Sequence, residues 1–262
     1  MKIAGYLKTS LIEWPGKICS VIFTPGCNFR CPFCHNRDLV LGQGVSQIPE
    51  KQILADLKRR EKWIDAVAIT GGEPTLQAGL LKFLKLLKSL KLLTMIQTNG
   101  TKPGVIEQLV ISKLVDYFCL DLKGDLQNYE KFCNIKYHIP EEFPGGNISN
   151  VKSSMELIIR GGVEYEFRTT VVPGLHNLEN LEKLAVQINE VFENCKLKIS
   201  ESLISPLKAA QIENSRWFLQ QFSPLNTLDR RYLKVKPYSK EEMEAFQKQL
   251  QKIIPQTLLR GV

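Results

Sequence analysis

The chain has 262 residues, of which 44% are hydrophobic and 24% charged, an ordinary composition for a globular protein of one large or two small domains. No apolar run reaches the roughly 20 residues of a membrane span, and the first residues lack the features of a secretory signal, so we expect a cytoplasmic protein without a membrane partner. The net charge of +8 lies mainly on helical lysines, as in KFLKLLKSLK (82–91); this argues against nucleic-acid binding but leaves a surface that can attract an acidic partner.

Six short apolar runs, each ending in turn or polar residues, predict buried strands at 19–26, 65–74, 93–100, 117–124, 164–174 and 216–224. Helical periodicity predicts helices between and after them, at 48–63, 75–90, 103–115, 149–162, 177–195 and 239–254. This alternation predicts an α/β fold with right-handed crossovers and mostly parallel strands. Six repeats are too few for the eight-stranded barrel, so we expect a partial (β/α)6 barrel, with a doubly wound sheet as the alternative.

We predict a single domain over residues 1–262, with three segments outside the repeats: an N-terminal extension (1–18), a long loop (134–148) and a C-terminal tail (225–262) that carries a helix. Ser239 and Glu242 have the spacing of a capping box at the start of that helix. A further strand is possible at LKISESLI (197–204).

The stretch TPGCNFRCPFCHN (24–36) contains Cys27, Cys31 and Cys34 in a C-x3-C-x2-C pattern. An odd total of seven cysteines in a chain expected in the cytoplasm argues against a disulfide scaffold. Thiolates favour zinc, copper(I) or an iron–sulfur cluster. A structural zinc site needs a fourth ligand, and His35 directly follows Cys34, where it is poorly placed to provide one. A four-iron cluster on three thiolates would leave one iron free for a substrate, while a zinc-binding interaction module stays the alternative.

The other predicted strands also end in reactive or glycine-rich residues, namely Gly71-Gly72-Glu73-Pro74, Gln97-Thr98-Asn99-Gly100, Asp121-Leu122-Lys123 and Arg168-Thr169. Because parallel α/β folds form their sites at the carboxyl ends of the strands, we predict that these residues meet at one open end of the partial barrel, which we call the mouth.

Structural roles remain open for several of these residues. Asp121 and Lys123 have the spacing of a simple ion pair, Arg168 could pair with Glu166 or Asp121, and Thr98 and Asn99 could simply form a turn. His176 and His138 fall in predicted loops, where we expect them at the surface.

The cysteine pattern, with Phe33 before the third cysteine, and GGEP after the next strand resemble the radical S-adenosylmethionine (SAM) superfamily. GCNFRCPFCHN, GGEP, TNG, DLK and RTTVVPG, in this order, resemble the glycyl-radical-enzyme activases. WPGKICSVIFTPGCNFRCPFCHN and EFRTTVVPG are most similar to the longer form of the anaerobic ribonucleoside-triphosphate reductase activating proteins. The resemblance covers roughly residues 8 to 225.

The resemblance implies that Cys27, Cys31 and Cys34 hold a [4Fe–4S] cluster whose open iron chelates the amino and carboxylate groups of SAM. It implies further cofactor-binding roles. Backbone groups of Gly71, Gly72 and Glu73 would receive the amine, and Asp121 would accept a hydrogen bond from the ribose or the amine. Lys123 and Arg168 would offer cations to the carboxylate, Phe33 and His35 would contact the adenine, and Thr98 and Asn99 belong to the same cofactor-binding set. The reduced cluster would cleave SAM, and the resulting radical would take hydrogen from a glycine of a partner enzyme.

The implied partners are a glycyl-radical enzyme, by resemblance the anaerobic ribonucleotide reductase, and a flavodoxin- or ferredoxin-type electron donor. A radical SAM enzyme that acts on a small molecule, similar to the deazapurine synthases, is the alternative. Two departures from the formate-lyase activases are visible. Gln97 replaces the acidic residue before TNG, which puts a monovalent cation site in doubt, and LQQFSP lacks the histidine expected after the last strand.

Overall fold

The computed structural model describes residues 1–42, 45–134, 148–200 and 216–262, without the side chains of 198–200. The strands are β1 (Gly5–Ser10), β2 (Cys19–Thr24), β3 (Ala66–Gly71), β4 (Leu93–Thr98), β5 (Tyr117–Asp121), β6 (Glu164–Val171), β7 (Arg216–Gln221) and β8 (Thr257–Arg260). The helices are α1 (Arg37–Leu41), α2 (Glu50–Arg59), α3 (Leu80–Ser89), α4 (Pro103–Ile111), α5 (Tyr129–Cys133), α6 (Ile148–Gly161), α7 (Leu178–Ser200) and α8 (Lys240–Leu250). Short 3-10 helices lie at Pro74–Leu76 and Arg230–Lys234.

The strands form one open sheet in the order β1 to β8, in which β2 to β8 are parallel and β1 pairs antiparallel with β2. The six predicted strands are β2 to β7, so the partial barrel with mostly parallel strands is confirmed. The sequence analysis missed the two edge strands. β1 lies in the expected N-terminal extension and is largely exposed, while β8 has only four residues, so neither has a strong apolar pattern.

An ion pair between the partly buried Arg260 and the buried Glu166 attaches β8 to the rest of the sheet. Arg260 donates two hydrogen bonds to the carboxylate of Glu166 on β6, at 2.5 and 2.8 Å, and Glu166 is 1% exposed. Tyr117 Oη donates to the same carboxylate at 2.9 Å, and the Arg260 guanidinium lies 4.0 Å from the ring centroid of Phe218. Charged groups at this depth therefore satisfy one another, as burial requires.

Three expectations about the connecting segments have different outcomes. The capping box of Ser239 and Glu242 is present at the start of α8. The possible strand at 197–204 is wrong for residues 197–200, because α7 continues through Ser200 on the helical pattern that precedes it; residues 201–204 lie outside the described part. Most of the predicted 134–148 loop, with His138, also falls outside it.

Within the described ranges, no helix combines the length and apolarity needed to cross a membrane.

The core has an inner layer inside the curved sheet and an outer layer between the sheet and the helices. The inner layer consists of Trp14, Cys19, Val21, Ala66, Ala68, Met95 and Tyr117. The Trp14 ring lies 5.2 Å from Tyr117, so the β1–β2 connection fills the barrel interior. Because side chains alternate along a strand, the next inward positions are Thr70, Gln97 and Asp121, where apolar packing gives way to polar groups.

Candidate active site at the carboxyl ends of the strands

The cysteine loop that follows β2 is compact and largely buried. Cys27 and Cys31 are 7% and 6% exposed, while Cys34 is partly exposed. The Cys34 amide donates to the Cys31 carbonyl at 3.0 Å, and the Arg30 guanidinium donates to the carbonyls of Cys27 and Phe29 at 2.7 and 2.8 Å. The loop therefore has its own internal support before any ligand is considered.

The three thiols are free and lie close enough to influence each other's ionisation. Burial raises the pKa of Cys27 to about 12 and raises the pKa of Cys31 and Cys34, whereas the Lys123 ammonium acts to lower all three. Soft sulfur donors in an apolar loop beside a cation fit an iron–sulfur cluster, which spreads its ligands over several iron atoms. In the described ranges, no three Cys, His, Asp or Glu side chains are placed to hold one metal ion.

The glycines after β3 let the next turn dock directly against the cysteine loop. The Gly72 and Glu73 amides donate to the carbonyls of Thr24 and Gly26, both at 2.8 Å. A Cβ on Gly72 would lie 1.9 Å from the Gly26 carbonyl oxygen, and Gly71 has a φ of +115°. Only glycine permits this approach. A bound amine donates hydrogen bonds, so the groups of this turn that can receive it are the carbonyl oxygens; the two amides are already used in docking.

The side chain of Glu73 is a buried connector between β3 and β4. It is 1% exposed, and its carboxylate accepts from Thr75 Oγ1, from Thr98 Oγ1 at 2.6 Å and from the Asn99 amide at 2.7 Å. Burial raises the pKa of Glu73, and these hydrogen bonds oppose the rise. The sequence analysis assigned only the backbone of Glu73 and missed this role of its side chain.

Three amide and hydroxyl side chains close a hydrogen-bonded ring between the cysteine loop and the TNG turn. Asn99 Nδ2 donates to Asn28 Oδ1 at 2.9 Å, Asn28 Nδ2 donates to Thr101 Oγ1 at 2.8 Å, and Thr101 Oγ1 donates to Asn99 Oδ1 at 2.7 Å. Asn99 Nδ2 also lies 3.9 Å from Cys27 Sγ. Sequence reasoning missed Asn28 and Thr101, although Asn28 lies within the cysteine stretch and Thr101 directly follows TNG.

The register of β4, β5 and β6 assembles a charged group at the mouth. Asp121 pairs directly with Arg168 across β5 and β6. Asp121 Oδ1 accepts from Arg168 Nε at 2.7 Å and its Oδ2 accepts from Lys123 Nζ at 3.1 Å, so both predicted ion pairs exist together. Arg168 also donates to Gln97 Oε1 at 3.2 Å, and Gln97 donates to Glu13 of the β1–β2 connection. A carboxylate from another segment therefore lies beside position 97.

The charges of this group reinforce each other. Burial by itself would raise the pKa of Asp121, but the Arg168 and Lys123 cations hold it well below its usual range. Asp121 in turn raises the pKa of Lys123 against the effect of burial. Arg168 and Lys123 share one directly paired carboxylate, that of Asp121, and the bonds named here use only part of the donors on these two cations. The mouth can therefore attract and bind an anion such as a carboxylate.

Phe33 and His35 flank the cysteine loop in different environments. Phe33 is 5% exposed and packs edge-on against His176, with ring centroids 6.2 Å apart. His35 is exposed at the mouth; packing around the ring and the nearby Lys123 and Arg168 cations lower its pKa. The predicted site residues from the cysteine loop and from four strand ends therefore lie together at one mouth.

His176 is buried, which contradicts the expectation of a surface histidine. It is 1% exposed, and its ring stacks on Phe132 with centroids 4.8 Å apart. Nδ1 accepts from the Val172 amide at 3.1 Å, and Nε2 lies 2.9 Å from the Lys123 carbonyl, to which it donates in the neutral tautomer. The ring therefore fixes the backbone under Lys123, and burial lowers its pKa to about 4. Its place two residues after a Pro-Gly turn gave no sign of this burial.

Comparison with known proteins finds relatives that match most of this chain. A protein of Methanocaldococcus jannaschii, provisionally named as a glycyl-radical enzyme activating enzyme, is 29% identical over 262 residues, covering 99% of this chain and 96% of the relative. A pyruvate formate-lyase-activating enzyme of Clostridium pasteurianum is 29% identical over 191 residues, covering 69% of this chain and 73% of the relative.

A structural neighbour has the same fold. The crystal structure of Streptococcus suis SuiB bound to S-adenosylmethionine matches 92% of this chain with a TM-score of 0.61 at 17% identity. This chain spans about half of SuiB, 51% of its length. The family model of the radical SAM superfamily matches residues 21–187, which run from β2 into α7 and include the cysteine loop and all four of the other strand ends. The chain belongs to the radical SAM superfamily, whose cofactors are a [4Fe–4S] cluster and SAM.

Proposed function

We propose that this protein is an activating enzyme that generates a glycyl radical on a partner enzyme, which we take to be the anaerobic ribonucleoside-triphosphate reductase. The observation that carries the proposal is the nearly full-length match to a relative provisionally named as an activating enzyme of this class. The choice of the reductase rests on the segments WPGKICSVIFTPGCNFRCPFCHN and EFRTTVVPG. We also propose that the enzyme works as a single domain over 1–262, in the cytoplasm and without oxygen.

We assign the cluster to Cys27, Cys31 and Cys34. Their sulfurs are soft donors in a loop held by its own hydrogen bonds and by the docked turn after β3. The high thiol pKa values that burial causes mean that metal must displace protons when the site loads. Lys123 favours the thiolate form of all three and so assists this step.

We assign SAM to the mouth beside the cluster. Carbonyl groups of Gly71, Gly72 and Glu73 would accept hydrogen bonds from its amine, and Lys123 and Arg168 would bind its carboxylate. Asp121 holds both cations in place and can accept a further hydrogen bond. Phe33 and His35 would lie near the adenine, as the resemblance implies. Thr98 and Asn99 would hold the turn beside the cluster.

When bound, the two cofactors supply an electron and a carbon radical that removes a hydrogen atom from a glycine Cα of the partner. The chain itself orients the reactants. The Glu73 carboxylate, the Asn28–Asn99–Thr101 ring and His176 connect neighbouring strand ends by buried hydrogen bonds, so the groups that face SAM are fixed before it binds.

The test is anaerobic reconstitution with iron and sulfide, followed by SAM, dithionite and the candidate reductase. We expect close to four irons per chain, formation of 5′-deoxyadenosine and a stable glycyl radical signal by electron paramagnetic resonance. Cys31→Ala should lose the iron and both products, whereas Cys195→Ala, which changes a buried cysteine on α7, should keep them. One zinc per chain that survives Cys31→Ala would contradict the proposal. Turnover of a small molecule with no glycyl radical on any partner would support the alternative similar to deazapurine synthases.

A further inference from the structure

A segment that follows β7 lies directly against the cysteine loop; we define residues 225–236 as the β7 arm. The Leu228 amide donates to the Cys34 carbonyl at 2.9 Å, and the Asp229 amide donates to the Pro32 carbonyl at 2.9 Å. Asn226 Nδ2 donates to the His35 carbonyl at 3.3 Å. These bonds connect the arm to the part of the loop that contains Cys34, the one partly exposed residue of the three cluster cysteines.

The arm is positively charged and carries exposed apolar side chains. It contains one anion, Asp229, and four exposed cations, which are Arg230, Arg231, Lys234 and Lys236. Asp229 caps the 3-10 helix Arg230–Lys234 by accepting from the Arg231 amide at 2.9 Å, and its carboxylate also pairs with the Arg231 guanidinium. Leu225 and Leu233 are 74% and 45% exposed. The arm therefore carries a net charge of +3, from four positive residues and one negative, and presents two exposed apolar side chains.

We propose that the β7 arm is the docking surface for a small acidic one-electron carrier protein. This rests on the proposed function, in which the cluster on the neighbouring loop must be reduced. The step moves one electron: the carrier is oxidised by one electron, the cluster is reduced by one, and no proton or group is transferred. Transient redox complexes use small interfaces of this kind, where opposite charges steer the encounter and a few apolar contacts hold it.

The position of the arm favours the carrier over the glycyl-radical partner. The arm binds the backbone carbonyls of residues 32, 34 and 35, so a carrier seated on it would lie beside Cys34, through which the electron has a short path. The partner's glycine must instead reach the SAM side of the mouth, where Lys123 and Arg168 lie. The charge is also specific in sign, because an acidic carrier is complementary to the arm and a basic one is not.

The test compares Arg230→Glu/Lys234→Glu with the matched variant Lys82→Glu/Lys85→Glu, which makes the same charge change on exposed positions of α3. The probes are reduced flavodoxin and dithionite, each mixed with reconstituted enzyme in an anaerobic stopped-flow instrument. For the arm variant at low salt, we expect reduction by flavodoxin to slow by about tenfold or more and to lose most of its salt dependence. The rate with dithionite should not change, and the α3 variant should behave as the wild type.

A second variant and a binding measurement keep the proposal open to refutation. Leu225→Ser/Leu233→Ser should raise the Kd for flavodoxin, measured by titration calorimetry. The salt dependence of the reduction rate with flavodoxin should stay as in the wild type. An unchanged flavodoxin rate in the arm variant, or an equal loss in the α3 variant, would overturn the proposal. So would normal reduction by flavodoxin together with loss of the glycyl radical, because the arm would then serve the partner enzyme.

The proposed function can fail separately. If dithionite-reduced wild-type enzyme yields 5′-deoxyadenosine but no glycyl radical on any partner, the activase assignment is wrong. The effect of the arm variant on the Kd and rate for flavodoxin would still decide the docking surface.

Discussion

Acid should destabilise the fold through His176, because the hydrogen bonds of its ring suit only the neutral form. Nδ1 accepts from the Val172 amide, and Nε2 contacts the Lys123 carbonyl. A proton on Nδ1 would place two donors against each other in a site that is 1% exposed. Burial of the ring lowers the pKa of His176 from 6.5 to about 4.

The sign and size of the effect follow from that difference. A histidine with a lowered pKa in the folded state stabilises the fold fully above pH 6.5, and this stabilisation is lost as the pH falls toward 4. At about 1.4 kcal/mol per pKa unit, the complete loss is about 3 kcal/mol, and about 2 kcal/mol is already lost at pH 5. This is a large part of the stability of an ordinary domain.

The assay is urea unfolding of the cluster-free protein, reduced and without oxygen, at pH 7.5 and pH 5. His176→Gln can keep one donor and one acceptor but cannot take up a proton, so its loss of stability between these pH values should be smaller by about 2 kcal/mol. Tyr238→Phe is the control. It removes only the hydrogen bond from Tyr238 Oη to the His176 carbonyl and should cost about 1 kcal/mol at both pH values. An identical pH dependence in the wild type and His176→Gln would refute the reasoning.

Three further predictions concern the turn, the mouth and the sheet edge. Gly72→Ala should displace the cysteine loop and sharply reduce the iron retained after reconstitution, whereas Gly104→Ala, where a Cβ meets nothing within 4 Å, should retain it. Asp121→Asn should raise the KM for SAM about tenfold or more in a 5′-deoxyadenosine assay, because it loosens both cations; an unchanged KM would contradict its positioning role. Glu166→Gln should lower the free energy of unfolding in urea by about 2 kcal/mol, because the partly buried Arg260 guanidinium would lose its anion; an unchanged midpoint would count against the importance of this pair.

Much of the fold and most of the mouth could be predicted because both depend on local patterns. Runs of apolar residues that end in glycines or charged residues mark buried parallel strands, and the geometry of such sheets brings their ends together. The residues named from the cysteine loop and from four strand ends therefore proved to be neighbours. The edge strands β1 and β8 lacked this signal, since one is exposed and the other is very short.

The supporting residues could not be predicted, because their roles depend on contacts between distant segments. Glu73, Asn28 and Thr101 bind partners across two strand ends, and their positions in or beside the motifs do not reveal which distant side chains they bind. His176 was misjudged for the same reason. A histidine after a Pro-Gly turn is usually exposed, and only the packing of Phe132 and Phe33 around it encloses the ring.

The mouth also explains how the chain tolerates glutamine at position 97. An acid there would compete with Asp121, on the neighbouring strand, for Arg168, which bonds to both positions. Gln97 instead accepts from Arg168 and donates to Glu13, so one amide joins a cation to an anion without adding charge. The anion comes from the β1–β2 connection, whose Trp14 anchors it in the inner core. The N-terminal segment thus contributes directly to the electrostatics of the site, although its sequence looked like an extension outside the repeats.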